Sequence, residues 1–434
     1  MSKPLAPTGL NLDEPLLWEM GSPGRTGYSM PRRDVEPFPL DDDLLGEGPD
    51  FPDLNEMGVV RHYTRLSQWN FGVDTGMYPL GSCTMKYNPK INEKCSQLEG
   101  LAGLHPMLPA GMTQGALGLM VELERFLKEI TGMDAVSLQS AAGAQGELTG
   151  MLLIHAYLKS CNVKRNKIII PDTAHGTNPA SAALCGYRPV RVKSGDRGIL
   201  TTEAISEVMD EDTAGIMITN PNTLGLFEEH IKEIADIVHA KGGQVYCDGA
   251  NMNAVMGMVH MGNSGVDVLH LNLHKTFSTP HGGGGPGAGP VCVAKHLLPF
   301  LPIPRVLKND AGYFLSEDFP ESIGRLHSFC GNFGVMIKAY AYILSMGSEN
   351  LKKASQLAVL NANYIKEKLK SVFHLPYDRP CMHECVFSDK LQREHKITTL
   401  DMAKRLMDFG FHPPTIYFPL VVDGSMMLEP TETE

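Results

Sequence analysis

The chain is 434 residues long, 43% hydrophobic and 20% charged, too long for one ordinary core and ordinary in composition for a globular enzyme of two domains. Its formal net charge of -11 argues against an electrostatic grip on nucleic acid or an anionic membrane, and still allows a local basic pocket for a phosphate. Nine irregularly spaced cysteines, no apolar run near the roughly 20 residues of a membrane span and no secretory pattern at the start lead to the expectation of a reduced, cytoplasmic, unanchored protein.

Residues 1 to about 60 are rich in Pro, Gly and acidic residues, including Asp41-Asp42-Asp43, and show no sustained period. They read as an extended arm: either a solvated tail or, from the apolar Leu16, Leu17 and Trp18, a wrap over a partner subunit. From about residue 115 the pattern becomes periodic. A helix is expected over 116–130, with Leu119, Leu123, Phe126, Leu127 and Ile130 on one face and Gly132 closing it. Short apolar runs then predict strands at 135–138, 167–170, 190–192, 215–218, 244–247, 266–271 and 291–293, most of them separated by helical patterns. Continuous Val/Ile/Leu runs between helices indicate a mostly parallel sheet covered on both faces. The expectation is thus an α/β large domain over 61–310 built on a seven-stranded sheet. Helices are expected at 332–345, 350–370 and 399–409, with an extended piece near 382–387, forming a smaller α+β domain over 311–434. Thr431 followed by Glu434 resembles a helix-opening cap, which reads as a helix cut short in a truncated domain.

The densest chemical signal is Leu271-Asn-Leu-His274-Lys275-Thr-Phe277, followed by His281 and the glycines at 282–285. A lysine just past an apolar strand stands where α/β sheets place their ligands, a suitable address for a Schiff base with a cofactor aldehyde. The bland reading is a surface lysine before a flexible turn. Tyr246-Cys-Asp248-Gly-Ala250-Asn251 also ends a strand. There Asp248 can pair with a protonated pyridine nitrogen and the small Ala250 can lie flat beneath the ring, although an Asp in such a place is more often a turn or cap residue. In Ser140-Ala-Ala-Gly143-Ala144-Gln145-Gly-Glu147, small residues open a helix whose N-terminal N–H groups suit a phosphate. The spacing of a dinucleotide fingerprint is absent, and a plain tight turn is the simpler reading. His175, in Asp172-Thr-Ala-His175-Gly-Thr-Asn178, is placed to stack on a cofactor ring. Asn220 and Thr223, in Asn220-Pro-Asn-Thr223-Leu-Gly225, are placed to reach its phenolic oxygen. Loops that each follow a strand of one sheet converge on one edge, so the five signals describe one site. Cys381, His383 and Cys385 share a face if their segment is extended, but the second ligand pair of a zinc site is missing. Packing is expected there, and no metal.

Beyond these local arguments, five stretches closely resemble the glycine dehydrogenase (decarboxylating) family, the P-protein of the glycine cleavage system, in its split bacterial form with a separate C-terminal-half subunit. They are Tyr78-Pro-Leu-Gly-Ser-Cys-Thr-Met-Lys-Tyr-Asn88, Ala142-Gly-Ala-Gln-Gly-Glu147, Ala174-His-Gly-Thr-Asn-Pro-Ala-Ser181, Asp248-Gly-Ala-Asn-Met-Asn253 and Leu273-His-Lys-Thr-Phe277 with its glycine tail. The resemblance implies a fold type I pyridoxal-phosphate architecture like that of aspartate aminotransferase. It implies Lys275 as the Schiff-base lysine, Asp248 at the pyridine nitrogen, His175 on the ring, and Gly143, Ala144, Gln145 and His274 about the phosphate. The implied reaction decarboxylates glycine and passes the aminomethyl group to the lipoyl arm of the H-protein, in an α2β2 complex with a first subunit. The Ser82-Cys83-Thr84 loop and the glycine tail are candidates for lining the lipoyl channel. Two competing expectations remain: another fold type I enzyme, such as a cysteine desulfurase or a different amino-acid decarboxylase, or a catalytically poor scaffold that stabilises a partner. The intact Lys275, Asp248 and His175 argue against the scaffold.

Overall fold

The computed structural model describes residues 14–27, 31–281 and 287–434. The glycine tail at 282–285, Pro286 and the arm residues 1–13 and 28–30 lie outside the described residues.

Seven strands form one sheet: β1 (Ala135–Ser137), β2 (Lys167–Pro171), β3 (Arg188–Val192), β4 (Thr213–Thr219), β5 (Gln244–Gly249), β6 (Val268–Leu271) and β7 (Val291–Val293), in the order β1-β7-β6-β5-β4-β2-β3. β7 runs antiparallel to both of its neighbours, and the remaining pairs are parallel. Six strands therefore point the same way, and their carboxyl ends share one edge. This is the mostly parallel seven-stranded α/β sheet that the apolar runs predict.

β2, β4, β5 and β6 are buried at every position, because successive side chains go to opposite faces and both faces are covered. Ile169, Ile216, Val245 and Leu269 enter one core with Leu123 and Leu127 of the helix Gln114–Thr131. Ile168, Met217, Tyr246 and Val268 enter the other with Met151 and Ile154 of the helix Gly143–Ser160. Edge strand β3 instead exposes Arg188, Pro189 and Arg191, residues that blunt an open edge.

A hairpin of β8 (Arg305–Asn309) and β9 (Gly312–Ser316) precedes the long helix Phe333–Leu369. Gly347, at φ 65° and ψ 171°, interrupts that helix in the gap between the two helices that the sequence predicts. Beyond it, β10 (Cys385–Ser388), β11 (Thr415–Ile416) and β12 (Ser425–Leu428) make a small antiparallel sheet. The capping pattern at Thr431 opens no helix; 431–434 form a turn instead. This end is pinned elsewhere, since Asn361 Nδ2 donates to the Thr431 carbonyl at 2.9 Å and Lys86 pairs with Glu432 at 2.7 Å.

The arm's described residues 31–51 are exposed throughout. Leu16 and Trp18 are exposed as well, and Glu14 is tied to His62 and Arg65 of the helix Glu56–Ser67. Among the described residues no helix is long and apolar enough to cross a membrane.

Candidate active site

β6 delivers Lys275 through a short helix, Leu273–Thr276, that begins two residues past the strand. The side chain is buried, and its Nζ donates to the Ser82 carbonyl at 2.8 Å. Neighbouring β5 carries Asp248 as its last residue but one, and this side chain is fully buried. One oxygen, Oδ1, accepts the Ala250 N–H at 3.0 Å, whereas Oδ2 has no partner among the described residues. A buried carboxylate oxygen without a donor is costly, and a protonated pyridine nitrogen is the donor that the sequence reading assigns to it. Ala250 itself is buried.

Asn220, just past β4, likewise keeps a buried Nδ2 without a partner among the described residues, while its Oδ1 accepts the Glu228 N–H at 3.0 Å. Thr223 is different: its hydroxyl donates to the Thr173 carbonyl at 2.8 Å, tying two loops together. Its proton is committed to that bond.

Past β1, Gly143 opens the helix Gly143–Ser160, and the first helical bond is donated by Gly146. The N–H groups of Gly143, Ala144 and Gln145 therefore have no acceptor within the helix, as the first turn of any helix dictates. A Cβ on Gly143 would stand 2.4 Å from Asn272 Oδ1, so only glycine fits this cradle. The Gln145 side chain is spent on the protein, accepting from Ala141 N–H at 2.6 Å and donating to the Leu326 carbonyl at 3.0 Å; what it can offer a phosphate is its backbone. His274 Nδ1 accepts the Ala288 N–H at 3.3 Å, which leaves Nε2–H as a donor. Burial and the neighbouring His281 hold this imidazole near a pKa of about 3, hence neutral.

His175, past β2, is half-buried, and burial lowers its pKa. Its backbone N–H donates to Thr219 Oγ1 at 3.1 Å and its Nδ1 lies 3.1 Å from Thr177 Oγ1. The same hydroxyl is 2.6 and 2.7 Å from the two oxygens of buried Glu147. Burial and the Asp248 charge raise the Glu147 carboxyl to about 8.

The five loops thus meet at one strand edge, around Lys275 and Asp248. Sequence reasoning gave no role to Glu147, nor to His270, which is buried opposite Asp248 in the β5–β6 register. His270 Nδ1 lies 2.6 Å from the Tyr246 hydroxyl and its Nε2 is 3.5 Å from Asp248 Oδ1. The signal was available: Tyr246 and Asp248 are two apart on one strand and so share a face. The cysteine expectation divides. The chain bends at 382–383, so Cys381 and Cys385 pack in a small apolar cluster while His383 turns towards Glu384 and Glu429. The three residues at 381, 383 and 385 do not gather on one face.

Comparison with known proteins agrees in kind. Residues 354–434 match the family model described as glycine dehydrogenase, C-terminal domain, and residues 146–302 match aminotransferase class-V. A probable glycine dehydrogenase (decarboxylating) subunit 2 of Caldanaerobacter subterraneus subsp. tengcongensis is 58% identical over 96% of this chain and 88% of its own length. One from Oceanobacillus iheyensis is 54% identical over 98% and 89%. A crystal structure of glycine decarboxylase (P-protein) of the glycine cleavage system, in inhibitor-bound form, superposes with a TM-score of 0.76 at 17% identity, covering 91% of this chain and 90% of that one. Lactobacillus brevis glutamate decarboxylase superposes at 0.66 with 12% identity, over 93% and 90%. At such identities these two superpositions speak for the fold.

Proposed function

The chain belongs to the glycine dehydrogenase (decarboxylating) subunit 2 family, and from that premise we propose that it is the pyridoxal-phosphate subunit that decarboxylates glycine and hands the aminomethyl group to a lipoylated H-protein. The observation that carries the reading is the buried Lys275 amine beside Asp248, whose Oδ2 is buried without a donor among the described residues.

In this reading Lys275 holds the cofactor by its aldehyde carbon. Asp248 Oδ2 keeps the pyridine nitrogen protonated, and Asn220 Nδ2 donates to the phenolic oxygen. The first-turn N–H groups of Gly143, Ala144 and Gln145, with His274 Nε2–H, bind the phosphate, where the helix N-terminus favours negative charge. His175 stacks on the ring, and Ala250 leaves room beneath it. Thr223 supports the site by holding the loops after β2 and β4 together. The bound cofactor supplies an electron sink for the pair left on the glycine Cα as carbon dioxide departs.

The large domain over 61–310 and the small one over 311–434 enclose this site between them, and the arm over 1–60 is the part that meets a partner subunit. Its exposed Leu16, Trp18, Phe38 and Phe51 suit burial against a first subunit in an α2β2 complex in the cytoplasm. Loop 82–84 touches Lys275 and is placed to border the path of the lipoyl arm.

The test is an absorbance spectrum of the purified chain with pyridoxal phosphate, wild type beside Lys275→Ala, followed by borohydride reduction and peptide mapping. The expected outcome is a visible band in wild type alone that maps to Lys275, and carbon dioxide release from glycine once first subunit and lipoylated H-protein are added. Capture at another lysine, or none with the first subunit present, overturns the reading. Turnover of cysteine or another amino acid in place of glycine would select the competing fold type I enzyme.

A further inference from the structure

A second buried ionisable group faces Lys275 from the small domain. His383 and Glu384 precede β10 and Glu429 follows β12; all three are buried, with one polar atom from each within 4.8 Å of the others. His383 Nε2 is 3.8 Å from Glu384 Oε1 and 3.9 Å from Glu429 Oε1. Among the described residues neither ring nitrogen finds a hydrogen-bond partner, nor do Glu384 Oε1 and Glu429 Oε2. One residue links the group to Lys275: the Ser82 N–H donates to Glu384 Oε2 at 2.8 Å, and the Ser82 carbonyl accepts Lys275 Nζ at 2.8 Å. Ser82 has φ 66°, a left-handed conformation costly for a residue with a Cβ and tolerated where surrounding bonds enforce it. From the same loop Thr84 donates a short hydrogen bond to Glu429.

We infer that Glu384 and Glu429 form a proton-sharing carboxyl pair that takes up a proton from the Lys275 ammonium as this amine condenses with the cofactor aldehyde. The inference rests on Lys275 being the Schiff-base lysine. Two carboxyls this close and this deeply buried do not both ionise unless cations offset them. The titratable groups around the pair are Lys275, Lys86, Cys83 and His383. Lys86 is engaged by Glu432 at 2.7 Å. Burial pushes the Cys83 thiol up and holds His383 near a pKa of about 3, so both are neutral. Lys275 is then the one cation among these four not already matched, and where condensation leaves its nitrogen without a proton the pair must gain one. Burial accordingly raises Glu384 well above the carboxylate range and Glu429 to about 7. The step balances: of the three ammonium protons one goes to the pair and two leave with the aldehyde oxygen as water, while nitrogen and carbon form the new double bond.

The experiment follows covalent capture of pyridoxal phosphate by the cofactor-free full chain, for wild type, Glu384→Gln and Glu429→Gln. Binding of 4′-deoxypyridoxine 5′-phosphate, which has no aldehyde, reports an intact site. The expected result is capture slowed on the order of 10²-fold in each variant at neutral pH, with the deoxy analogue bound as in wild type. A mere counter-charge has the opposite sign, since deleting it lowers the lysine pKa and frees the amine; equal or faster capture overturns the inference. Infrared difference spectra of wild type keep the test independent of how the variants fold. A protonated-carboxyl band is expected to rise with pyridoxal phosphate and not with the deoxy analogue, and its absence overturns the pairing. Wild type that captures no cofactor at Lys275 would instead overturn the reading of the lysine itself.

Discussion

A threonine hydroxyl has one proton to give, and at Thr177 two groups compete for it. Above a pH of about 8, where Glu147 ionises, the proton goes to the carboxylate, so the hydroxyl must accept from His175 Nδ1–H and the imidazole is left with a free Nε2 lone pair. Glu147 is then a positioning residue for His175, acting through Thr177. Replacing Thr177 by Val severs the link and leaves two buried polar groups short of a partner, a loss of about 1–3 kcal/mol, or roughly tenfold or more in kcat. Glu147→Gln is expected to cost a similar amount, and the double variant no more than the worse single one, because both remove the same chain. A double-mutant cycle in kcat above pH 8, where Glu147 is ionised, with cofactor Kd measured alongside, checks this; additive losses would mean that the two residues act separately. Lys275 and Asp248 were legible from the sequence because each ends an apolar run. Glu147 was not: its partner hydroxyl lies 30 positions away on another loop, and no local pattern encodes that meeting.

At the scale of elements, the helix Gly143–Ser160 lies so close to the sheet that a Cβ on Gly150 would stand 2.7 Å from Tyr246 Cε2 and 3.0 Å from Val268 Cγ1. Tyr246 cannot swing aside freely, because its hydroxyl is bound to His270 at 2.6 Å. Gly150→Ala is thus expected to destabilise the chain by about 1–3 kcal/mol of overpacking, less the helix propensity that alanine restores. Gly115→Ala, where nothing lies within 4 Å, supplies the control and should be neutral or slightly stabilising; urea midpoints for both variants test the contrast. The inner strands β2, β4, β5 and β6 of the large sheet were legible because they are buried on both faces and so largely apolar at successive positions. Hairpin β8–β9 was not, since its residues are half-buried or exposed and the contact that fixes it is distant. Gln114 accepts the Tyr313 N–H at 2.8 Å and donates to the Tyr313 carbonyl at 2.7 Å, 199 positions away. The Thr431 pattern misled for a related reason, since a cap motif is local and the contacts that hold 429–434 are not.

For the whole molecule, burial of charge makes stability depend on pH in two opposing ways. Burial first of all lowers His274 to about 3, His281 to about 4 and His383 to about 3, from an ordinary 6.5. Below pH 6.5 the unfolded chain binds protons that the folded one refuses, so these three groups take stability away as the medium acidifies. Burial equally raises Glu147 to about 8 and Glu228 and Glu429 to about 7, from 4.5. Above pH 4.5 the folded chain retains protons that the unfolded one has released, so these groups take stability away as pH rises, until they ionise in the fold as well. Glu124 is likewise raised to about 8 and Glu384 well above its usual range, so between 4.5 and 6.5 these imidazoles only partly offset the buried carboxyls, whereas above 6.5 the carboxyls act alone. The Tm of the cofactor-free chain is therefore expected to fall gently across the lower window and more steeply between pH 6.5 and 8, which scanning calorimetry in matched buffers measures. Glu228→Gln removes one of these groups while leaving Lys275 and Asp248 untouched, and so should flatten the decline by up to one proton's worth, roughly 1.4 kcal/mol per pH unit, below the pH of about 7 at which Glu228 ionises in the fold. A Tm that rises from 6.5 to 8 would mean that these carboxylates find compensating donors in the folded chain, and that the buried acids near Lys275 are ionised at neutral pH.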